Sequence, residues 1–241
     1  EVQPKVMQGI TTEVLGQDGI SMAPLPKQYI SPWRKNLAGL DGDTDNIDWG
    51  FENTENYLKM VENAGPGLNE CYLVPHGNIR MEAMGLENRL PNEEELEKMR
   101  QITRREMEAG AIGLSTGLIY MPCAYSESKE IIEMCKVVAE YDGRFVIHQR
   151  SEADTILDSM EEVIKIGRES GVKIQYSHFK VCGKKNWDKI EDAATLSACS
   201  VDATRRTYSD FKSCIWFVRR SASFWNWITK LSTASAFLTS A

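Results

Sequence analysis

Three histidines occur in the 241-residue chain, and each closes a short apolar run: His76 in CYLVPHGN, His148 in RFVIHQRSEAD and His178 in KIQYSHFK. His148 and His178 occupy the same place on two strand-like segments, with one helical segment between them. Paired imidazoles of this kind suit a divalent cation, because catalytic zinc takes three protein ligands and keeps a fourth position for water. A third donor is offered by EVLGQDGIS, where Asp18 directly follows a β-branched segment and lies between glycines that let the backbone turn sharply. Asp18, His148 and His178 are therefore the candidate metal ligands. Lys180, two residues beyond His178, Arg150 in HQRSE, and His76 and Arg80 in HGNIR are candidate substrate-binding groups, suited to a ligand carboxylate or another anion.

Positioning such groups requires elements that end together. GITTEVLGQ reads as a first strand ending near Gly16, followed by a loop rich in Pro, Gly and Asp over about residues 19–50. NTENYLKMVENAG has helical spacing stopped by Gly65, and CYLVPHGN is a second strand. PNEEELEKMRQITRREMEAGA opens with acids in its first turn and spaces Leu96, Met99, Ile102 and Met107 as one helical face. AIGLSTGL is the third strand. SESKEIIEMCKVVAEYDG, with Ser126 as N-cap, leads to the fourth strand RFVIHQ, and Asp154–Ser170 forms an amphipathic helix ending at Gly171 before the fifth strand, VKIQYSHF. Strand and helix alternating five times imply parallel strands with helices packed outside, in a closed (β/α) barrel or an open doubly wound sheet. In either fold the carboxyl ends of the strands converge on one mouth, where active sites are built.

A chain of this length with 42% hydrophobic, 26% charged and 9% aromatic residues is an ordinary globular one. Net charge of −7 argues against a nucleic-acid surface. No apolar run approaches the ~20 residues that span a bilayer. The segment EVQPKVMQGITTEV shows no basic stretch leading into an apolar core, so a cytoplasmic location is the default expectation. Six cysteines without a CxxC pair suit reduced, buried thiols better than disulfides or a cysteine zinc site. Residues 195–241 stand apart: all 17 glycines and eight prolines lie at or before Gly183, and the tail carries six Lys/Arg against two Asp/Glu with no clean periodicity. We expect two regions, 1–194 as the folded unit and 195–241 as a tail foreign to it, of the kind a change of reading frame produces.

The motifs GITTEVLGQDGIS, HGNIR, EAGAIGLSTGLIY, HQRSEAD and YSHFKVCGKKNW, in this order and spacing, resemble those of the N-acyl-D-amino-acid deacylases (D-aminoacylases) of the amidohydrolase superfamily over roughly residues 5–194. The resemblance implies a partial (β/α)8 barrel of the metal-dependent hydrolase kind, with about five βα units present. It further implies zinc, one or two ions in a complete site, and hydrolysis of the amide bond of an N-acyl-D-amino acid by metal-activated water. His148 and His178 match two metal-binding histidines of that family, and Lys180 matches a lysine that contacts the substrate carboxylate. Asp18 stands where many members carry a metal-binding cysteine, which exchanges a soft thiolate for a hard carboxylate.

Two departures bear on activity. Members place an His-x-His pair on the first barrel strand, ahead of the point where this chain begins, and an aspartate on the last strand, where this chain has turned into its tail. The isolated chain is therefore expected to be inactive or nearly so, with barrel edges left open to self-association. A related amidohydrolase acting on cyclic amides or dipeptides, and a non-catalytic barrel fragment, stay open as alternatives at this stage.

Overall fold

A computed structural model of the chain describes residues 3–42 and 48–203. Five strands, β1 (Thr12–Leu15), β2 (Asn69–Pro75), β3 (Gly113–Gly117), β4 (Arg144–His148) and β5 (Lys173–Tyr176), form one sheet in the order of the sequence. Every neighbouring pair is parallel, in registers that align Leu15 with Tyr72, Leu73 with Gly113, Gly117 with His148 and Ile147 with Tyr176. Parallel pairing forces a crossover between strands, and helices supply it: α1 (Gln3–Val6) precedes β1, α2 (Ile30–Asp41) and α3 (Thr54–Ala64) follow it, α4 (His76–Met84) and α5 (Glu93–Glu108) follow β2, α6 (Ser128–Glu140) follows β3, α7 (Ile156–Ser170) follows β4, and α8 (Ile190–Ala203) follows β5.

Local chemistry explains where the helices start and stop. α5 begins with a capping box in which the Asn92 side chain accepts from Glu95 N at 2.9 Å while the Glu95 carboxylate accepts from Asn92 N at 2.9 Å. Its apolar face, Leu96, Met99, Ile102 and Met107, is buried, which stabilises the fold by about 1.5–3 kcal/mol per side chain. Asn53 caps α3, and Gly65 and Gly171 end α3 and α7 in the left-handed conformation. The main core lies between sheet and helices and includes Val74, Leu114, Phe145 and Ile147 from the strands against Ile79, Met99, Ile131, Met134, Val163 and Ile166.

Three local expectations are corrected. The region read as a loop over residues 19–50 contains α2, in which Trp33 and Leu37, one turn apart, are buried in a second cluster with Ile20, Leu25, Trp49 and Met81. Pro32 is tolerated there because it falls in the first turn, where no intrahelical N–H is needed. HGNIRMEAM forms α4 directly after β2, a helix so widely buried that it shows no amphipathic stripe. Ser126 does not cap α6; its hydroxyl donates to the Cys123 carbonyl at 2.7 Å, and Glu127 precedes the first helical residue.

α8 runs across the point at which the sequence places the start of the tail, and residues 204–241 of that segment lie outside the described residues. β1 and β5 are the edges of the sheet. Among the described residues no helix is long and apolar enough to cross a membrane.

Candidate metal centre

Asp18 owes its position to a turn held against the end of β3. Gly16, Asp18 and Gly19 all take left-handed backbone conformations, with φ of 77°, 57° and 71°. Ser115 of β3 pins this turn from both sides: its hydroxyl oxygen accepts from Gly19 N at 3.1 Å, and its proton goes to the Gly16 carbonyl. The approach is so close that a Cβ on Gly19 would lie 2.7 Å from Thr116 Cα, and one on Gly117 would lie 2.4 Å from the Asp18 carbonyl oxygen. Bare backbone on both sides thus places the Asp18 side chain over the carboxyl ends of the strands.

His148 is the last residue of β4 and is buried, with both ring nitrogens lacking a hydrogen-bond partner. Its ring meets Tyr120 edge-on at 5.2 Å between centroids and His178 edge-on at 4.4 Å. His178 lies just beyond β5 with φ of 32°, half-exposed, and is the third member of the group. Asp18 Oδ1 is 3.8 Å from His148 Nδ1 and 3.9 Å from His178 Nε2, and one donor atom from each residue lies within 4.8 Å of the others. These separations exceed the ~2.7–3.2 Å of an N–H···O hydrogen bond. They suit donors around one ion held at ~2.0–2.2 Å from each. Burial lowers the His148 pKa, only partly opposed by the Glu152 and Asp18 carboxylates, which keeps the imidazole neutral with a lone pair to give. Orphaned buried nitrogens, neutral imidazole and an adjacent carboxylate together fit a divalent cation.

Around this group stand Glu152 and Lys180. The Glu152 carboxylate is 2.9 Å from His178 Nδ1 and 2.6 Å from Lys180 Nζ, so the ammonium predicted to face a ligand is at the site and already neutralises a carboxylate there. Glu152, four residues past His148, was absent from the sequence-derived candidates; its presence in the HQRSE motif was the available signal. Tyr120, the last residue of the EAGAIGLSTGLIY motif, is a further neighbour of the group that the sequence does not single out. Burial, with Asp18 and Glu152 nearby, raises its pKa and keeps the phenol protonated.

Arg150 sits on the same rim but is committed to the frame. Its guanidinium pairs with Glu162 at 3.0 Å and donates to the carbonyls of Ala124 and Ser126 at 3.2 and 2.9 Å. It also lines a polar cleft of about 520 Å³ with Ser126, Lys129, Glu162 and Lys165, apart from the Asp18 group.

For His76 and Arg80 the substrate-binding expectation is corrected, because both are fully buried, and their polar atoms other than Arg80 Nε bond inside the protein. His76 bonds Thr116 Oγ1 and Glu130 Oε1, each at 2.8 Å, and Arg80 pairs with Glu130 and donates to the Arg89 carbonyl. Burial alone would lower the His76 pKa; the Cys123 thiol and the Glu130 carboxylate more than offset it and push it up to about 9. These residues tie α4 to α6 and β3 beneath the site.

No protein-family model matches the chain. It is similar to the D-aminoacylase of Alcaligenes xylosoxydans xylosoxydans, 34% identical over 196 residues that cover 81% of this chain and 39% of the relative. The N-acyl-D-aspartate deacylase of the same organism is 33% identical over 211 residues, covering 87% and 41%. Among solved structures, the N-acyl-D-glutamate deacylase of Bordetella bronchiseptica, complexed with zinc and a phosphonate mimic of the tetrahedral intermediate, superposes with a TM-score of 0.75 at 32% identity, over 83% of this chain and 41% of that one. The chain spans about two fifths of the length of the curated relatives it matches. The arc β1 to β5 with its outer helices is accordingly part of a (β/α)8 barrel of the amidohydrolase kind.

Proposed function

We propose that this chain, a homologue of the N-acyl-D-amino-acid deacylases over four fifths of its length, carries the metal-binding part of a hydrolase that cleaves the amide bond of N-acyl-D-amino acids. The observation that carries this reading is the meeting of Asp18, His148 and His178 at the carboxyl ends of parallel strands, with both His148 nitrogens buried and unpartnered. Asp18 Oδ1, His148 Nδ1 and His178 Nε2 would hold the ion. A divalent cation at such a site polarises an amide carbonyl and lowers the pKa of water toward ~7. Zinc is the ion of the Bordetella bronchiseptica structure, and two imidazoles with one carboxylate are a donor set that suits it.

The surrounding side chains take simpler tasks. Lys180 keeps an ammonium on the rim, where a substrate carboxylate finds a charge-assisted partner by sharing it with Glu152. Tyr120, held protonated against His148, offers a hydroxyl donor at the same mouth. Arg150 holds the α6 and α7 loops together, and its role toward substrate is to shape that rim. Because the chain spans only two fifths of its relatives, we infer little or no turnover by the chain alone.

The test is made on the full chain. Metal-free protein is equilibrated with zinc, bound ion is counted by elemental analysis, and free D-amino acid released from an N-acyl-D-amino acid is measured. One ion per chain, lost in both His148→Ala and His178→Ala, is expected; stoichiometric zinc retained by both variants would overturn the metal reading. Robust turnover by the wild-type chain would overturn the inference of inactivity and leave the metal reading in place.

A further inference from the structure

We propose that Glu152 is the positioning residue of the metal centre: its carboxylate, anchored by Lys180, fixes the tautomer and the angle of His178 so that the Nε2 lone pair faces Asp18. This rests on the metal reading above and concerns a residue that binds no ion itself.

The argument begins with proton accounting at one nitrogen. An ionised carboxylate only accepts hydrogen bonds, and a neutral imidazole carries its proton on one nitrogen and a lone pair on the other. Glu152 Oε1 lies 2.9 Å from His178 Nδ1. At that distance a lone pair on Nδ1 would face a lone pair on the carboxylate, so the proton belongs on Nδ1. Lys180 Nζ is also close to Nδ1, at 3.0 Å, and would favour a lone pair there. That alternative puts the proton on Nε2, whose carboxylate neighbour Asp18 Oδ1 is 3.9 Å away and too distant to accept it. Lys180 instead has its own bond to the Glu152 carboxylate at 2.6 Å, which holds that carboxylate in place.

Glu152 is itself fixed on two sides. Its side chain is mostly buried, and its backbone carbonyl accepts from Cys182 N at 2.6 Å, fastening the loop after β4 to the loop after β5. His178 needs such support more than His148 does. It lies beyond the strand on left-handed backbone and is 41% exposed at the side chain, whereas His148 is locked into the sheet. A carboxylate behind a ligating histidine orients the ring and raises its basicity, and loss of such a partner costs 10- to 100-fold in metal affinity.

Two readouts on the full chain test this. In the metal-free protein, ¹⁵N chemical shifts of the His178 ring are expected to report a proton on Nδ1 in the wild type and in Glu152→Gln, whose amide oxygen still accepts, and a move toward the Nε2–H form in Glu152→Ala. Zinc affinity, measured by competition with a chromophoric chelator, is expected to fall 10- to 100-fold in Glu152→Ala and less in Glu152→Gln, with unchanged far-UV circular dichroism. An Nδ1–H tautomer and wild-type zinc affinity in Glu152→Ala would overturn the proposal. If the wild type binds no zinc, the metal reading fails, and the tautomer comparison still decides the role of Glu152.

Discussion

A Cβ added to Gly117 would sit 2.4 Å from the carbonyl oxygen of Asp18. The end of β3 and the turn after β1 are therefore in backbone contact, and the absence of a side chain at one residue sets where the carboxylate of another stands. Gly117→Ala must push the turn away, at a cost of about 1–3 kcal/mol for overpacking in a well-filled place. Displacement of Asp18 by a few tenths of an ångström also spoils its reach toward His148 and His178. We expect a lower urea midpoint together with at least tenfold weaker zinc binding, read by denaturation and chelator competition; a stability loss without any change in zinc affinity would show that the turn does not set the site.

His148 states a conflict between stability and metal binding. In the metal-free chain its two ring nitrogens are buried without partners, and an unsatisfied buried polar group costs about 1–3 kcal/mol. Replacement by a side chain of similar size with no polar atoms removes that cost. His148→Leu is expected to raise the melting temperature of the metal-free chain while abolishing the increase that zinc brings to the wild type. Thermal melts with and without zinc check both halves, and a variant less stable than the wild type without metal would mean that the ring is already satisfied.

Much of this architecture is legible in the residues because its causes are local. Leu96, Met99 and Ile102 repeat at the helical period, Asn92 and Glu95 mark the start of their helix, and the alternation of strand and helix brings the ends of β4 and β5 to one rim. That logic is enough to group His148 and His178, and the glycines flanking Asp18 announce its turn. What stays hidden has non-local causes. α4 is buried on nearly all sides, so it carries no stripe, and the helix holding Trp33 and Leu37 is masked by Pro32 and Gly39 in a stretch that looks like loop. His76 and Arg80 look like ligand-binding groups until Glu130, 54 and 50 residues away, is seen to take them both. Glu152 lies within the HQRSEAD motif, yet its partner His178 lies 26 residues on, in the loop after β5, which no local pattern shows.

His76, buried against Cys123 and Glu130, predicts a pH dependence on the alkaline side. A histidine whose pKa rises from 6.5 unfolded to about 9 folded gives stability that is fully present below pH 6.5 and is lost as pH climbs through about 9. Burial lowers the His148 pKa, so that group acts with the opposite sign: its cost is present in acid and disappears as pH rises past 6.5. Between pH 6.5 and 9 the wild type should therefore lose on the order of 1–3 kcal/mol through His76. Urea unfolding across that range is expected to show a flatter profile in His76→Gln than in the wild type. Parallel profiles for the two proteins would remove His76 as the source.

Asp18 is the proposed ligand at which the resemblance implies a cysteine instead, and the chemistry of its carboxylate would set a preference among metals. A carboxylate is a hard oxygen donor, and with two imidazoles it makes a set that accepts zinc, manganese, cobalt and ferrous iron without the strong bias toward zinc that a thiolate confers. Asp18→Cys introduces a soft donor on the same turn, one bond shorter in reach but with a longer metal bond, ~2.3 Å for Zn–S against ~2.0–2.2 Å for Zn–O. The substitution keeps the left-handed backbone at position 18, where aspartate is at more ease than cysteine, so a modest stability loss is expected in the metal-free state. The informative measurement is therefore a ratio: zinc affinity divided by manganese affinity in the same protein, which cancels the folding cost. That ratio should rise at least tenfold in Asp18→Cys, and the cobalt-loaded variant should gain a near-ultraviolet thiolate charge-transfer band that the wild type lacks. An unchanged ratio with no such band would mean that residue 18 does not touch the ion, and the ligand group would have to be drawn without it.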